Sequence, residues 1–360
     1  MSQCTQPVRI VHLLGGLRST TIPADLAARL NTRESILSDI LLVRGEAKCV
    51  PVNVQERIRP GLFRTPGDIV RAIEEKRYDI LHAHHNPQHK IALKVYRHVK
   101  TSRRVHTQHG YKHFSRKNRA RNTISLLFSH GVIFNSNATR ASLSMIDRIA
   151  ALLSKQAVIY NGLPVDDIDQ YRRSFQQRDH ELVVSVANLK PVKNHVCLLN
   201  AMAYLQDTPL RAEIVGDGPL SRNLQARCSS LGLEKTVKFS GMLRRENVYQ
   251  AVSTAGMFVV LSFAEGFCVA AAEAMALGLP VIASNIPVFH EVIGDAGIYV
   301  DPRDPAAVAG EIRRLSREPR EAQQRGDLNR QRAVRLFNFD VILDDHIRFY
   351  NSVVKRGGSG

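Results

Sequence analysis

Short apolar runs alternate with longer amphipathic segments along almost the whole chain, and this alternation limits the possible folds more than any other feature. Runs such as VRIVHLL at 8–14 and MFVVL at 257–261 have the length and apolar character of buried strands. The segments between such runs have the spacing of helices with one apolar face. The pattern therefore predicts an α/β fold made of βα repeats on parallel sheets.

The alternation occurs twice, which predicts two Rossmann-like, doubly wound domains facing each other across a cleft. The polar segment 166–181 interrupts it and is predicted to be a linker between domains 1–165 and 182–340. A helix at 341–356 should follow the second sheet, and the Gly-Gly-Ser-Gly at 357–360 is set aside as a tail.

The individual elements follow from the same pattern. Strands are predicted at Val8–Leu14, Ile40–Val43, Asp79–His82, Arg104–Thr107, Val132–Asn135, Ala157–Tyr160, Leu182–Ala187, Arg211–Val215, Val237–Ser240, Met257–Leu261, Pro280–Ala283 and Gly297–Val300. Helices are predicted at Ile22–Asn31, Pro66–Glu75, Asn137–Leu153, Cys197–Leu205, Leu220–Leu231, Glu246–Ser253, Val269–Leu277, Pro305–Leu315 and Val341–Val354.

The positive charge lies almost wholly in the first half of the chain. Residues 1–165 hold 26 Lys and Arg against 10 Asp and Glu, whereas residues 166–360 hold 24 against 23. This asymmetry favours a polyanionic partner, although a basic face kept for solubility is the alternative. Nucleic acid is not expected, because there is no zinc-finger spacing or RNA-binding motif, and no Trp.

The compartment is predicted from what the sequence lacks. The five cysteines are scattered without a C-x-x-C pair, which is typical of reduced thiols in a cytoplasmic protein. The N-terminus enters a strand pattern without a signal peptide, and no run of 18 apolar residues is present.

The segment SFAEGFCVAAAEAMALGLP at 262–280 carries most of the chemistry. A loop with Glu265 and Gly266 follows a strand and precedes a helix, whose N-terminus presents free N–H groups to a diphosphate. Gly266 permits close approach of the backbone, and Glu273 within the apolar helix needs hydrogen-bond donors such as sugar hydroxyls. A solvated loop acid and an internal helix contact are the alternatives for the two glutamates.

Two glutamates eight positions apart, in the setting EGFCVAAAEAMALGLPVIAS at 265–284, resemble the E-x(7)-E motif of the retaining glycosyltransferases of family 4, which have the GT-B fold. The segments IYNGL (159–163), VANLKPVKNH (186–195), VGDGPL (215–220), VKFSGM (237–242) and VDP (300–302) also resemble that family, in its order. The resemblance covers 157–315, and the first half matches in outline only. It implies an N-terminal acceptor-binding domain and a C-terminal nucleotide-sugar-binding domain.

The resemblance also implies roles for individual residues. Glu265 would contact the donor sugar near the reacting carbon, and Glu273 would accept hydrogen bonds from the ribose hydroxyls. Lys193 would neutralise the leaving diphosphate, unless it is an ordinary surface lysine. The family places Arg five positions before that Lys, whereas this chain has Asn188. The predicted donor-binding residues are Gly15, Gly16, Asn188, Gly266, Phe267, Cys268 and Glu273, and the predicted catalytic residues are Glu265, His109 and Lys193.

In the first half, Gly15 and Gly16 follow the first predicted strand, where a backbone-only loop could face a phosphate or form a plain turn. His109 resembles the family's active-site histidine, with a structural histidine as the alternative.

The group at 82–89 contains several histidines without an acidic or Cys ligand, and their side chains are expected to diverge past a strand end. We therefore predict no metal, and we assign His84 and His85 to the acceptor side. Gly216 and Gly218 predict a tight turn or part of the base pocket.

The segment KHFSRKNRAR at 112–121 stands beside the apolar run ISLLF, a pairing that suits an anionic membrane face, with a solvated basic loop as the alternative. The residues assigned to this face are Lys112, Arg116, Lys117, Arg119 and Arg121.

Taken with the resemblance, the sequence predicts a retaining, metal-independent glycosyltransferase that moves a sugar from a nucleotide-diphosphate sugar to a saccharide or lipid-linked acceptor. Its place would be the inner face of the cytoplasmic membrane, in the assembly of surface polysaccharide or lipopolysaccharide. A GT-B nucleotide-sugar epimerase or hydrolase and a non-enzymatic polyanion-binding module are the alternatives.

Overall fold

The computed structural model describes residues 6–14, 22–42, 58–59, 66–84, 95, 98–99, 102–110, 116–174 and 178–354. The chain forms two compact units. The N-terminal unit comprises Met1–Gly162 together with Phe339–Gly360, and the C-terminal unit comprises Leu163–Asn338. Their boundaries differ from the predicted ones at both ends of the C-terminal unit.

The N-terminal unit contains a parallel sheet of seven strands in the order β3-β2-β1-β4-β5-β6-β7. The strands are β1 (Val8–Leu14), β2 (Ile36–Leu42), β3 (Ile58–Arg59), β4 (Ile80–His84), β5 (Arg103–Gln108), β6 (Gly131–Phe134) and β7 (Lys155–Val158). The order reverses between β1 and β4, whose register pairs His12 with His82. This is the doubly wound arrangement that the alternation predicts.

The C-terminal unit contains a parallel sheet of six strands in the order β10-β9-β8-β11-β12-β13. The strands are β8 (Asp179–Val186), β9 (Arg211–Val215), β10 (Val237–Gly241), β11 (Ala255–Val260), β12 (Val281–Ser284) and β13 (Ile298–Val300). Here the order reverses between β8 and β11. The predicted α/β class with two Rossmann-like sheets is thus confirmed.

Helices connect the strands in both units. In the described part of the N-terminal unit they include Ile22–Leu30, Pro66–Lys76, Arg116–Leu127, Asn137–Ala141, Met145–Ala151 and Phe339–Val354. Those of the C-terminal unit are Val165–Ser174, His195–Ala203, Ser221–Ser230, Arg245–Thr254, Val269–Ala276, Pro287–Ile293, Pro305–Arg317 and Pro319–Phe337, with 3-10 turns at Pro191–Lys193 and Gly294–Ala296. No helix in the described ranges is long and apolar enough to cross a membrane.

The segment 166–181 is not a bare linker. Most of it forms the helix Val165–Ser174 and the start of β8 within the C-terminal unit. Acids in the first turn and arginines in the last turn complement the helix dipole, and Ile168 is fully buried. Arg330 ties the helix to this unit, because its guanidinium pairs with Asp169 at 2.8 Å and donates to the Ala276 carbonyl at 2.6 Å.

The predicted helix 137–153 is two helices. Ser144 begins the second one, because its hydroxyl accepts a hydrogen bond from the Asp147 amide at 3.2 Å. A capping serine in extended backbone geometry ends one helix and starts another.

The C-terminal helix follows the second sheet in sequence but belongs to the N-terminal unit. Phe339, Ile342 and Tyr350 are buried there in one core cluster with Ile10 of β1 and Ile133 of β6. The pattern of the helix predicted its existence, whereas nothing in it identified the sheet on which it packs.

Candidate functional site

The reversal of strand order between β8 and β11 prepares a ligand site in the C-terminal unit. Loops leaving two such strands run to opposite sides of the sheet and open a crevice at their carboxyl ends. In this chain those loops are 187–194 and 261–268, and they carry six of the ten predicted donor-binding and catalytic residues. The Phe263 amide donates to the Val192 carbonyl at 2.9 Å, so the two loops are joined.

Lys193 and Glu265 form the centre of this site. The Lys193 ammonium donates to Oε1 of Glu265, and the Ser262 hydroxyl donates to the same oxygen at 2.8 Å. The exposed fractions of the two side chains are 22% for Lys193 and 10% for Glu265. A largely buried ion pair of this kind needs further hydrogen bonds to be stable, and Ser262 supplies one.

The electrostatics keep Lys193 protonated. Burial acts to lower the pKa of its ammonium, but its surroundings, which include the charge and the hydrogen bond of Glu265, raise the pKa of Lys193 overall. A permanently charged ammonium at the carboxyl edge of the sheet is suited to phosphate oxygens. Since Lys193 also contacts Glu265, one cation can address both the phosphate and the sugar end of a donor.

The helix Val269–Ala276 begins beside Glu265. Cys268, the residue before this helix, has a left-handed backbone with φ of 68°. Its thiol makes no capping hydrogen bond to the first turn of the helix. Burial, and then the charge of Glu265, raises the pKa of the Cys268 thiol to about 12, so it is a neutral packing group. Phe267 is buried edge-to-face against Phe337, with ring centroids 5.0 Å apart, so a donor contact at Phe267 would fall to its backbone.

Glu273 lies in the second turn of the same helix and has partners that the sequence did not suggest. Its Oε1 accepts from the Tyr249 hydroxyl at 3.0 Å and from the Arg245 guanidinium at 3.2 Å. Arg245 in turn donates to the Tyr249 oxygen at 2.6 Å. Burial, and then the charge of Glu273, raises the pKa of Tyr249, so the phenol remains a donor. The spacing of four positions on one helix face accounts for the contact between Arg245 and Tyr249, but it does not point to Glu273.

Gly216 and Gly218 are required by packing of the β9 loop against the β8 loop. A Cβ on Gly216, whose φ is +136°, would lie 1.9 Å from the Ala187 carbonyl oxygen. A Cβ on Gly218 would lie 2.6 Å from Oδ1 of Asn188. Tight packing therefore accounts for both glycines, and the exposed Asn188 stands at the meeting point of the two loops.

A chain of buried histidines occupies the other reversal point, between β1 and β4. Nδ1 of His12 and Nε2 of His84 are 2.8 Å apart, and Nδ1 of His84 and Nε2 of His109 are 3.3 Å apart. His84 and His109 line one pocket of the N-terminal unit together with Thr107 and Asn161. The sequence-predicted His84 and His109 are thus brought together, and His12 was missed because it lies 72 positions before His84.

The expectation that these histidines diverge is wrong. β4 extends through His84, so His82 and His84 lie two positions apart on one face, with ring centroids 3.9 Å apart. Each of His12, His82 and His84 brings one nitrogen to within 4.8 Å of the others. Both nitrogens of His82 already have partners, the Tyr350 hydroxyl at 2.8 Å and the Thr107 hydroxyl at 2.7 Å. That arrangement is less suited to a metal ion than to a hydrogen-bonded core.

The rings of His12, His82 and His346 are neutral at physiological pH. Burial, and then the charge of His346, lowers the pKa of His12 to about 3, and burial lowers the pKa of His346 to about 4. The pKa of His82 is also well below its usual value, first because of burial. The group can therefore pass hydrogen bonds toward His109 without placing charge in the core.

The remaining predicted residues are placed only in part. Gly15, Gly16, His85 and Lys112 lie outside the described residues. The backbone at Arg116, Lys117, Arg119 and Arg121 is the start of the helix Arg116–Leu127, so the alternative of a basic loop is wrong for these four.

Both halves of the chain match protein families. Residues 10–167 match the family described as Glycosyltransferase Family 4, and residues 167–332 match Glycosyl transferases group 1. Over 217 residues the chain is 28% identical to an MMP alpha-(1->4)-mannosyltransferase of Mycolicibacterium hassiacum, covering 57% of this chain and 52% of that protein. Over 165 residues it is 29% identical to the O-antigen chain mannosyltransferase RfbU of Salmonella typhimurium, covering 46% and 45%. The chain spans about half the length of these curated relatives.

Solved structures share the fold over nearly the whole chain. The crystal structure of Anabaena HepE in complex with UDP and glucose has a TM-score of 0.78 at 20% identity, covering 96% of this chain and all of that one. Sucrose-phosphate synthase from Thermosynechococcus elongatus has a TM-score of 0.80 at 19% identity, with 97% and 100% coverage. With both halves matched and the two sheets in place, the chain belongs to the group 1, family 4 glycosyltransferases and has their GT-B fold.

Proposed function

We propose that the protein transfers a sugar from a nucleotide-diphosphate sugar to a hydroxyl of a saccharide or lipid-linked acceptor, with retention at the anomeric carbon and without a metal ion. The observation that carries the proposal is the Lys193–Glu265 pair at the β8/β11 reversal point, beside the start of the helix that holds Glu273. Two of the relatives are mannosyltransferases by name, and HepE was crystallised with UDP and glucose.

Donor binding divides between the two ends of this site. The diphosphate would lie between the Lys193 ammonium and the N–H groups at the start of the helix Val269–Ala276, both of which favour negative charge. The ribose hydroxyls would donate to Glu273, whose carboxylate is held by Tyr249 and Arg245. The sugar would contact Glu265, and we keep His109 as a catalytic residue that would donate a hydrogen bond to a sugar hydroxyl.

The reaction then needs little beyond charge stabilisation. The bond between the anomeric carbon and the diphosphate oxygen breaks, and the acceptor oxygen bonds to the same face of that carbon. The acceptor proton passes to the departing diphosphate oxygen, so the products are a glycoside and a nucleoside diphosphate. Lys193 stabilises the charge that grows on the leaving oxygen, which is the step where a fixed cation contributes most.

We infer the class of acceptor and the location of the protein from the positive charge of its N-terminal half. The N-terminal half holds 26 basic against 10 acidic residues, which suits a phosphate-bearing or lipid-linked acceptor at an anionic membrane face. We place the protein peripherally on the inner face of the cytoplasmic membrane, in surface polysaccharide or lipopolysaccharide assembly. RfbU, which is an O-antigen mannosyltransferase by name, supports this placement.

The deciding experiment separates donor turnover from transfer. Purified protein is incubated with labelled UDP- and GDP-sugars, with and without membrane lipid extract, and the products are separated by chromatography. We expect labelled lipid or saccharide only when acceptor is present, together with release of nucleoside diphosphate. An isomerised sugar or free sugar formed equally well without acceptor would instead identify an epimerase or hydrolase.

A further inference from the structure

The helix Met145–Ala151 faces solvent with its apolar side. Asp147 is buried and accepts from the Thr123 hydroxyl at 2.6 Å and the Ser144 hydroxyl at 2.9 Å. Met145, Ile146 and Ile149, by contrast, are 78%, 67% and 57% exposed. Only the small apolar residues Ala150 and Ala151 are buried with Asp147, whereas a helix of a water-facing surface turns its large apolar side chains to the core. This inversion indicates that the exposed side contacts something other than water.

The exposed side continues beyond this helix. We define the apolar patch as the exposed large apolar residues of the stretch 124–153, which are Ile124, Leu127, Phe128, Met145, Ile146, Ile149, Leu152 and Leu153. These eight are half of the sixteen large apolar residues that are exposed among the described residues. The helices Arg116–Leu127 and Met145–Ala151, which carry five of the eight, are in contact with each other. Clustered apolar surface marks an interaction site, whereas single exposed apolar residues do not.

A basic pocket adjoins the patch. It is lined by Arg103, Arg104, His130 and Lys155, and its rim includes Leu127, Phe128 and Leu153 of the patch. No carboxylate is among the described residues that line it.

The pKa of His130 reflects the positive potential in this pocket. Burial, and then the charges of Arg104 and Arg103, lowers the pKa of His130 to about 4. The Arg104 amide donates to Nδ1 of His130 at 3.1 Å, so the proton of the neutral ring lies on Nε2. The pocket therefore combines three cations with a neutral donor, which suits a phosphate group.

We propose that the apolar patch and the basic pocket dock the protein on an anionic phospholipid bilayer, with a lipid phosphate in the pocket and the patch among the acyl chains. The proposal deepens the membrane placement of the proposed function and rests on it. The argument is charge complementarity: cations without a carboxylate border a surface of eight aliphatic and aromatic side chains. Basic charge beside an inserted apolar face is what binding to an anionic interface requires.

Vesicle flotation tests this with phosphatidylglycerol-containing and pure phosphatidylcholine vesicles. The double substitution Ile146→Asn and Ile149→Asn removes apolar contact without adding charge, and Leu328→Asn is its control at a 54% exposed site of the C-terminal unit. We expect the double variant to lose binding on the order of 100-fold or more, since two apolar side chains stay in water. Leu328→Asn should bind as the wild type does.

The pocket is tested separately with Arg103→Ala plus Lys155→Ala, against the exposed Arg320→Ala as control. We expect the pocket variant to lose roughly 30-fold in binding to anionic vesicles, because each cation near such a surface contributes about 5-fold. Wild-type binding should weaken in 1 M salt but persist in part, because salt screens the pocket and not the patch.

Several outcomes would overturn the proposal. They are equal binding to phosphatidylcholine vesicles, equal binding by all variants, and binding of inorganic phosphate or glycerol phosphate to the pocket without vesicle binding. A wild-type dimer that the Ile146→Asn and Ile149→Asn substitutions dissociate, without vesicle binding, would identify a contact between copies. UDP and GDP binding, measured by thermal shift on the same variants, reports on the proposed function separately. Intact nucleotide binding without vesicle binding removes only the docking inference.

Discussion

The Tyr249 hydroxyl donates a hydrogen bond of 3.0 Å to Oε1 of Glu273, and the Arg245 guanidinium reaches the same oxygen at 3.2 Å. The carboxylate is only 15% exposed and its orientation is fixed from the neighbouring helix. A fixed acceptor loses less conformational freedom when a ligand binds, which favours affinity. We therefore expect Tyr249 to support nucleotide binding through Glu273.

Replacing Glu273 should therefore weaken nucleotide binding without unfolding the protein. For Glu273→Ala we expect a loss of about 1.5–3 kcal/mol, or roughly 10- to 150-fold, in affinity for the nucleoside diphosphate that binds. Tyr249→Phe keeps the ring and should lose only about 0.5–1.5 kcal/mol. Isothermal calorimetry with UDP and GDP measures both. Unchanged affinity of Glu273→Ala would remove Glu273 from the ribose site.

Removing the Lys193 charge should act on turnover. Loss of one preorganised group that stabilises the leaving oxygen costs about 10²- to 10³-fold in kcat, so Lys193→Met should be nearly inactive. Lys193→Arg should keep part of the activity, because it preserves the charge. The exposed Lys235→Met serves as the matched control in the labelled-sugar assay. A Lys193→Met protein with wild-type kcat would show that another group carries the leaving-group charge.

Activity should survive chelation. Charge stabilisation is assigned here to Lys193 and a helix N-terminus, so EDTA at millimolar excess should leave the transfer rate unchanged. The same assay with Mg²⁺ or Mn²⁺ added back supplies the comparison. Loss of transfer in EDTA with recovery on adding either ion would contradict the metal-free mechanism.

The packing of the β8 and β9 loops predicts a stability difference between two glycines. Gly216→Ala puts a Cβ 1.9 Å from a carbonyl oxygen at a positive φ, which should cost at least about 2 kcal/mol. Gly310 lies in the helix Pro305–Arg317 with open space around it, so Gly310→Ala should stabilise by up to about 1 kcal/mol. Scanning calorimetry compares the melting temperatures, and equal melting of the two variants would be inconsistent with this packing.

The neutral histidines predict acid sensitivity. Their pKa values in the folded state, about 3 for His12 and about 4 for His346, lie below the unfolded value of 6.5. The unfolded chain therefore binds more protons below pH 6.5, and the free energy of unfolding falls as the pH is lowered. Each such histidine contributes about 2 kcal/mol of this loss between pH 6.5 and 5.

Circular-dichroism melts at pH 7.5 and 5.0 measure the effect. At pH 7.5 His12→Gln should have a lower melting temperature than the wild type. Between pH 7.5 and 5.0 its melting temperature should fall less than that of the wild type, because one neutral buried imidazole has been removed. The exposed His180→Gln should keep the wild-type pH dependence. If the melting temperature of His12→Gln fell with pH as much as that of the wild type, His12 would not contribute to the acid sensitivity.

The strands were predicted well from the sequence because a strand buried on both faces consists of consecutive apolar residues. β1 and β9 have the predicted bounds. The helix Pro319–Phe337 was missed for the opposite reason. Its buried side consists largely of small or polar residues such as Ala322, Gly326 and Asn329, so it has no strong apolar period. A Cβ on Gly326 would lie 2.1 Å from the Gly278 carbonyl oxygen, which explains why a small residue stands there.

For the site, composition and spacing identified Lys193, Glu265 and Glu273 but not what they touch. Lys193 and Glu265 are 72 positions apart, and only the adjacency of β8 and β11 brings their loops together. Arg245 and Tyr249 are on a helix that looked ordinary in the sequence. Their role depends on the packing of that helix against the one that carries Glu273, which no local pattern specifies.

The return of the chain to the N-terminal unit at Phe339 affects the order in which the protein can fold during synthesis. All residues of the C-terminal unit leave the ribosome before the helix Phe339–Val354 does. The core that contains Ile10 and Ile133 also includes Phe339, Ile342 and Tyr350 of that helix. The core of the first half of the chain therefore stays incomplete until the helix has been synthesised. The half that is made first is therefore the half that is finished last.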